Sequence, residues 1–379
     1  LIASTLRDIF RINLGVKKYE KVLIFTDIPS EKEEMDESDR GRRLKLRSLS
    51  LIATETGKNF CKKVLFHEYP ATGSHGAEPP EDLWRFAFGL RAVQSLKREK
   101  LLLPLLTKAV QDKDLKRAEE IIRKHKNNAV NCVIALSNYS TSHTRFRDFL
   151  TRICGCRYAS MPLFDVSMLE GAMCVDWKAL TKRTRRIARE INNADFIELK
   201  TLNGSSLSFS KRGRRAGSDT GILTRPGSFG NLPAGEVYIA PLEGTARGRL
   251  ILEWAPTKRL NFPITLTVQN GYVVDIEGED EYAEYLRAKL YERKENRNIA
   301  EFGIGTNDNA TRPDNILESE KILGTIHIAL GDNSSFGGKV KTPFHQDFVF
   351  FKPTVTLIHK DKSKNTILKS GRLLSKECL

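Results

Sequence analysis

AEFGIGTNDNATRPDNILESEKILGTIHIALGDNSSFGGKVKTPFHQD, residues 300–347, is the stretch around which the chain is organised. It carries Glu301, His327, His345 and Asp347, and a shorter run upstream, NLPAGEVYIAP at residues 231–241, supplies Glu236. His345 and Asp347 lie two apart in FHQDFVFF, an aromatic and β-branched run that predicts a strand, so both side chains point to one face. In GTIHIALG, Ile326, Ile328 and Leu330 point one way and His327 the other, with Thr325 and Ala329. Glu301 opens EFGIG, whose glycines let other backbone come close, and Glu236 follows Gly235 at the start of the strand-like VYIA.

Three carboxylates and two imidazoles form a mixed oxygen and nitrogen donor set. It suits Zn, Mn, Co or Fe better than Ca or Mg alone. No cysteine joins it, which argues against a closed structural zinc site. The prediction is that Glu236, Glu301, His327, His345 and Asp347 converge on one or two divalent ions. Two ions ~3.5–4 Å apart would clamp the attacking and leaving oxygens of a hydrolysis. The plainer alternative is scattered polar structure, because a lone HxD is common.

NLPAGEVYIAP, AEFGIGTN, GTIHIALG and the late HxD, in this order, resemble the aminopeptidase T / aminopeptidase S family of metallopeptidases. The likeness is strong over residues 194–355 and weaker over residues 1–27. It implies a metal-dependent aminopeptidase, a hydrolase holding Zn, Co, Mn or Mg on Glu236, Glu301, His327, His345 and Asp347. Glu236 or Glu301 would act as base or bridge, the substrate would be a peptide, and the assembly a homodimer. The family also uses a tyrosine seven residues after the histidine of GTxHxALG, and here that position is Ser334. A related branch of the same fold resembles the dihydroxypyridine ring-cleaving dioxygenases, which hold a single iron. Its ligands fall on the HxD and on the position of Glu301, where that branch has histidine. The alternative is therefore a mononuclear non-haem iron enzyme acting on a small molecule.

The rest of the chain bounds these readings. Its 379 residues allow two ordinary domains, and 40% hydrophobic with 29% charged residues is a globular composition. No apolar run is long enough to span a membrane, and the first residues do not read as a secretory signal. The six cysteines, Cys61, Cys132, Cys154, Cys156, Cys174 and Cys378, show no zinc spacing and no disulfide framework, which predicts a cytoplasmic protein. The net charge of +15 comes with two basic clusters, KRTRRIAR at residues 182–189 and KRGRR at 211–215. Neither has interleaved aromatics, so they read as solvated surface and no nucleic acid is expected.

Taken in order, residues 1–14 predict an amphipathic helix and KVLIFT, residues 21–26, a buried strand. The acidic run at residues 31–37 and the basic run at 42–47 predict exposed loop and helix starts. Residues 43–56, 82–103 and 112–126 predict helices, with Pro104 breaking the second, and residues 62–68 and 129–136 predict further strands. The alternation predicts an α/β N-terminal domain, residues 1–193, with a largely parallel sheet. The loop at residues 137–143 ends a strand carboxyl-terminally and is a candidate substrate contact. From residue 194 the pattern becomes short strands with Asn203-Gly204 and Asn270-Gly271 turns. Residues 194–379 therefore predict an α+β metal-binding domain rich in antiparallel strands. Arg247 and Arg249 are candidates to orient a substrate carboxylate. His75 and His359 read as exposed.

Overall fold

The computed structural model describes residues 2–30 and 33–374, so Leu1, Glu31 and Cys378 lie outside the described residues. Two compact units are present, Leu1–Cys174 with Gly221–Pro233, and Val175–Thr220 with Ala234–Leu379.

The first unit is an α/β layer. Five parallel strands run in the order Lys63–Pro70, Lys21–Ile28, Cys132–Ala135, Arg157–Ser160 and Phe229–Asn231. KVLIFTDI is apolar almost throughout because strands of a parallel sheet are covered on both faces. Leu23, Phe25, Val133 and Tyr158 pack with Trp84, Phe88, Phe146 and Phe149 from the helices. Asp36 caps the helix Glu37–Gly57, its carboxylate accepting from the Asp39 amide at 2.7 Å.

Several details of this unit differ from expectation. The helix predicted over residues 82–103 is cut at Gly89, whose φ of 85° a helix cannot continue, into Glu81–Phe88 and Leu90–Arg98. Pro104 does not break a helix but sits in the first turn of Leu102–Leu106, where its missing N–H costs nothing. Arg43, expected exposed, is buried and pairs with Glu33 at 2.6 Å. The strand Arg157–Ser160 was not predicted. It opens on a buried arginine whose guanidinium is bonded to Glu20 and, at 3.2 Å, to the Gly15 carbonyl. The strand Phe229–Asn231, which ends the glycine-rich run RPGSFGN of residues 225–231, was not predicted either.

The candidate loop at residues 137–143 is fastened by Asp27 at the end of the neighbouring strand. Asp27 accepts from the amides of Asn138 at 2.6 Å and Tyr139 at 3.0 Å. Cys154 and Cys156 are free thiols, and burial pushes the Cys154 thiol up to about 12.

The second unit is α+β, with two antiparallel sheets. The larger has eight strands, in the order Tyr272–Glu277, Arg259–Gln269, Arg247–Trp254, Ser206–Ser210, Phe196–Lys200, Thr354–Ile358, Lys364–Lys369 and Arg372–Leu373. The smaller runs His345–Phe350, Ile326–Gly331, Ile299–Gly305, Glu236–Ile239 and Gly217–Asp219. Asn270 and Gly271 take φ of 49° and 80°, the pair of positive values that a two-residue hairpin turn needs. Leu199, Phe209, Leu252 and Ile264 of the larger sheet share one core with Phe302, Ile304, Ile328 and Phe348 of the smaller.

The helix Trp177–Asn192 carries the first basic cluster, and Arg183 in it is not merely solvated. It donates to the Thr306 carbonyl at 2.7 Å and pairs with Asp308 at 2.9 Å, fixing the chain where it leaves the strand Ile299–Gly305. Among the described residues, no helix is long and apolar enough to cross a membrane.

Candidate metal centre

The smaller sheet of the second unit builds the site. Its register sets Asp347 opposite Ala329, Ala329 opposite Glu301, His327 opposite Gly303, and Gly305 opposite Glu236. Side chains two apart share a face, so Glu236, Glu301, His327, His345 and Asp347 all project from one side. Val237, Ile239, Phe302, Ile304, Ile326, Ile328 and Phe348 fill the other side and belong to the core. Small residues lie between the donors. A β-carbon on Gly303 would stand 2.0 Å from Nε2 of His327, so only glycine leaves the imidazole room.

The structure brings the five side chains together. His327 Nε2 lies 3.3 Å from Glu236 and 3.5 Å from Glu301 Oε1. His345 Nε2 lies 3.6 Å from Glu301 Oε2 and 3.3 Å from Asp347. The donors form two groups, Glu236–Glu301–His327 and Glu301–His345–Asp347, each with its ligand atoms within 4.8 Å of one another, and Glu301 is common to both. His327 is 1% exposed, whereas the side chains of His345 and Asp347 are 24% and 17% exposed, so the second group is the open end.

Two further charged residues join the cluster. Lys321 is fully buried, and its ammonium donates to Glu236 at 2.9 Å and Glu320 at 2.8 Å. Sequence reading missed both, because LESEK reads as a solvated helix end. Gly305 is the available signal. A β-carbon there would lie 2.0 Å from the Ile322 carbonyl oxygen, so the turn that carries Lys321 closes over a glycine.

The electrostatics follow from crowding acids and bases in a buried place. Burial alone would push the His345 imidazolium down, but the charge and hydrogen bond of Asp347 and the charge of Glu301 raise it to about 10. His327 is likewise raised to about 9, against burial, by Glu301, Glu236, Glu320 and Asp347. Burial and the charge of Asp347 raise the Glu301 carboxyl. Asp347 is held low despite burial by His345, His327 and Lys321. Four carboxylates, Glu236, Glu301, Glu320 and Asp347, thus draw protons onto two imidazoles, a demand for positive charge that a divalent cation also meets.

The donor chemistry fits a metal ion. Carboxylate and imidazole atoms face one another at 3.3–3.6 Å, the spacing of neighbouring ligands around one cation. His345 Nδ1 is tied to the Asp332 carbonyl at 2.7 Å, which aims Nε2 at the cluster, as an outer partner does for a metal-binding histidine.

Other candidates lie elsewhere. Arg247 and Arg249 are exposed at the start of a strand in the eight-stranded sheet, and Arg249 donates to the Gly204 carbonyl at 3.4 Å. Ser334, at the tyrosine position, is exposed and donates to Asp332 at 3.0 Å. His75 is exposed and accepts from the Ser140 amide at 3.1 Å; His359 is part-buried against the Asn193 carbonyl at 3.0 Å.

Comparison with known proteins separates the two enzymatic readings. Residues 106–374 match the sequence profile of the family NicX, 2,5-dihydroxypyridine 5,6-dioxygenase. A curated 2,5-dihydroxypyridine 5,6-dioxygenase of Pseudomonas putida is 30% identical over 146 residues, spanning 34% of this chain and 41% of that protein. The solved 2,5-dihydroxypyridine dioxygenase of Pseudomonas putida KT2440 superposes with a TM-score of 0.69 at 17% identity, over 100% of this chain and 98% of the other. Wild-type AmpT from Thermus thermophilus superposes with a TM-score of 0.57 at 16% identity, over 99% of both chains.

These matches overturn the aminopeptidase expectation, and with it the hydrolase and peptide-substrate readings. The family profile and the curated relative both point to a dioxygenase, while the two solved structures show the shared fold. The physical reason for the error is specific. The small residues of GEVYIA, EFGIG and HIALG clear space on one face of a sheet that both enzymes share, so they report the fold and not the reaction.

Proposed function

We propose that this chain, which belongs to the 2,5-dihydroxypyridine 5,6-dioxygenase family, is an iron-dependent oxygenase that opens a dihydroxylated nitrogen heterocycle of the 2,5-dihydroxypyridine type. The observation that supports it most is the open triad Glu301, His345 and Asp347, on one face of one sheet, in a chain of this family. Iron there would supply a redox-active centre at which an electron-rich ring and dioxygen meet.

The chain's own residues do the rest. Glu301, His345 and Asp347 would hold the ion at the more exposed end of the cluster. The Asp332 carbonyl accepts from His345 Nδ1, which leaves Nε2 as the nitrogen that faces the cluster. His327 Nε2, 3.5 Å from Glu301 and holding its proton above neutral pH, would act as an acid towards that carboxylate and not as a base towards the ring. Both atoms of one O2 add across the ring bond that breaks, and the ring supplies the electrons, so no external reductant is consumed.

The test is anaerobic loading with Fe(II), followed by 2,5-dihydroxypyridine and air. Loss of the aromatic absorbance with one O2 taken up per ring is expected. An iron-loaded protein that consumes neither ring nor O2, with this substrate or the isomeric dihydroxypyridines, would sink the proposal.

A further inference from the structure

We infer that the first unit carries a second binding site, for a small organic carboxylate, at the carboxyl end of its parallel sheet, and that Arg43 is the residue that grips the ligand. The metal centre plays no part in it.

The topology points to the place. The chain runs from the strand Lys21–Ile28 outward to Lys63–Pro70, then crosses to Cys132–Ala135 on the other side, so the strand order turns about Lys21–Ile28. In an open parallel sheet such a switch leaves a crevice beyond the carboxyl ends of the strands, where ligands bind. Asp27 stands at that end of the first strand and holds the amides of Asn138 and Tyr139, which follow Cys132–Ala135. Arg43, from the helix Glu37–Gly57, reaches the same place. Its guanidinium carbon lies 5.7 Å from the centroid of the Tyr139 ring, and its charge acts on Asp27.

Arg43 is only half used. Its side chain is 1% exposed, and Nη1 donates to Glu33 Oε1 at 2.6 Å. Nε and Nη2 are buried with no hydrogen-bond partner. These two nitrogens form the edge of a guanidinium that holds a carboxylate through two parallel bonds. Unpaired buried donors are destabilising, so a purely structural arginine would not leave this edge idle. Beside it, Arg42 Nη1 is also buried without a partner, while its other nitrogens serve Asp39 and Asn138.

Glu33 shows which chemistry the spot accepts. Its Oε1 takes both Nη1 of Arg43 and the Tyr139 hydroxyl, the latter at 2.5 Å. Glu33 and Tyr139 are half-buried, whereas Arg43 is not exposed, so the way to the guanidinium runs past them. Charge decides how a ligand enters. Arg42 is matched by Asp39, and Asp27 and Glu33 together outnumber Arg43, so an added anion would be repelled. The ligand carboxylate therefore replaces Glu33 and does not join it. The exchange leaves the local charge unchanged, gives Arg43 two bonds along its idle edge in place of one, and returns Glu33 to water.

Calorimetric titration of the full chain with acetate, succinate and inorganic phosphate tests this. The wild-type protein is expected to bind the carboxylates weakly, because Glu33 competes. Glu33→Ala removes the competitor and is expected to bind them ~10-fold more tightly or better, with acetate raising its thermal midpoint. Glu33→Gln, which removes the charge and keeps the shape, is the second variant should alanine destabilise the loop. Adding Arg43→Lys keeps the positive charge, removes the planar fork and is expected to abolish the gain. A folded Glu33 variant that binds carboxylates no more tightly than the wild-type protein overturns the inference, whether or not any Arg43 variant folds. So does a gain that survives Arg43→Lys, and so does phosphate bound in preference to both carboxylates.

Discussion

Gly303 and His327 face each other across an antiparallel pair so closely that a β-carbon on the glycine would stand 2.0 Å from two atoms of the ring. The imidazole is 1% exposed and walled by Glu236 and Glu301, so it cannot swing aside. Gly303→Ala is therefore expected to cost about 1–3 kcal/mol of stability, the usual penalty for overpacking a tight interior. Urea denaturation checks it. An alanine variant as stable as the wild-type protein would show that His327 moves freely.

His345 and His327 are expected to behave differently when removed. His345→Ala deletes a proposed ligand, and iron or manganese affinity should fall by more than the ~10–100-fold that loss of an outer partner alone costs. His327→Gln should leave the affinity within about tenfold, because the residue is assigned to a proton and not to the ion. Turnover should fall by ~10²-fold or more, the lower bound for losing a general acid–base group. Calorimetric titration and oxygen uptake distinguish the two.

Glu78 makes the first unit sensitive to pH. Burial raises its carboxyl from 4.5 to about 7, outweighing the hydrogen bonds it accepts from the Arg145 and Phe146 amides and the nearby Lys108 and Arg145 charges. The folded state then binds the proton more tightly than the unfolded chain. Its stabilising contribution is complete below pH 4.5 and is lost as pH rises through about 7. Glu78→Gln should flatten the stability profile across that window, as measured by denaturant midpoints at a series of pH values. An unchanged slope would contradict the assignment.

Arg157 and Glu20 form a buried ion pair at the edge of the first unit's core, with side chains 7% and 11% exposed. Removing one partner strands the other charge. Arg157→Ala and Glu20→Ala should each cost about 3–5 kcal/mol, while Arg157→Met combined with Glu20→Leu should cost less than either. A double-mutant cycle by denaturation measures this directly. Equal costs for single and double variants would mean that the pair is solvated.

Local chemistry carried much of this fold into the sequence. Asn270-Gly271 specified its turn, alternation specified the strands, and KVLIFT specified a buried parallel strand. The common face of the five donors follows from spacing within strands and from glycines opposite them. Lys321 was illegible because its burial depends on Gly305, sixteen residues away, admitting a turn that no local pattern describes. Arg157–Ser160 was illegible for a related reason: a strand that begins on arginine reads as surface until Glu20 is seen beneath it. The reaction was the hardest to read, since the sheet face that signals a metal serves more than one chemistry.

The strand Phe229–Asn231 completes the first unit's sheet from far along the chain, and the units exchange backbone at residues 174–175, 220–221 and 233–234. No single cut releases either unit whole. On the ribosome, the Arg157–Ser160 edge must wait without its neighbour until residue 231 has been made, by which time part of the second unit is already outside. Synthesis therefore cannot finish one unit before starting the other, and a fragment ending near residue 193 would present an open strand edge to other chains.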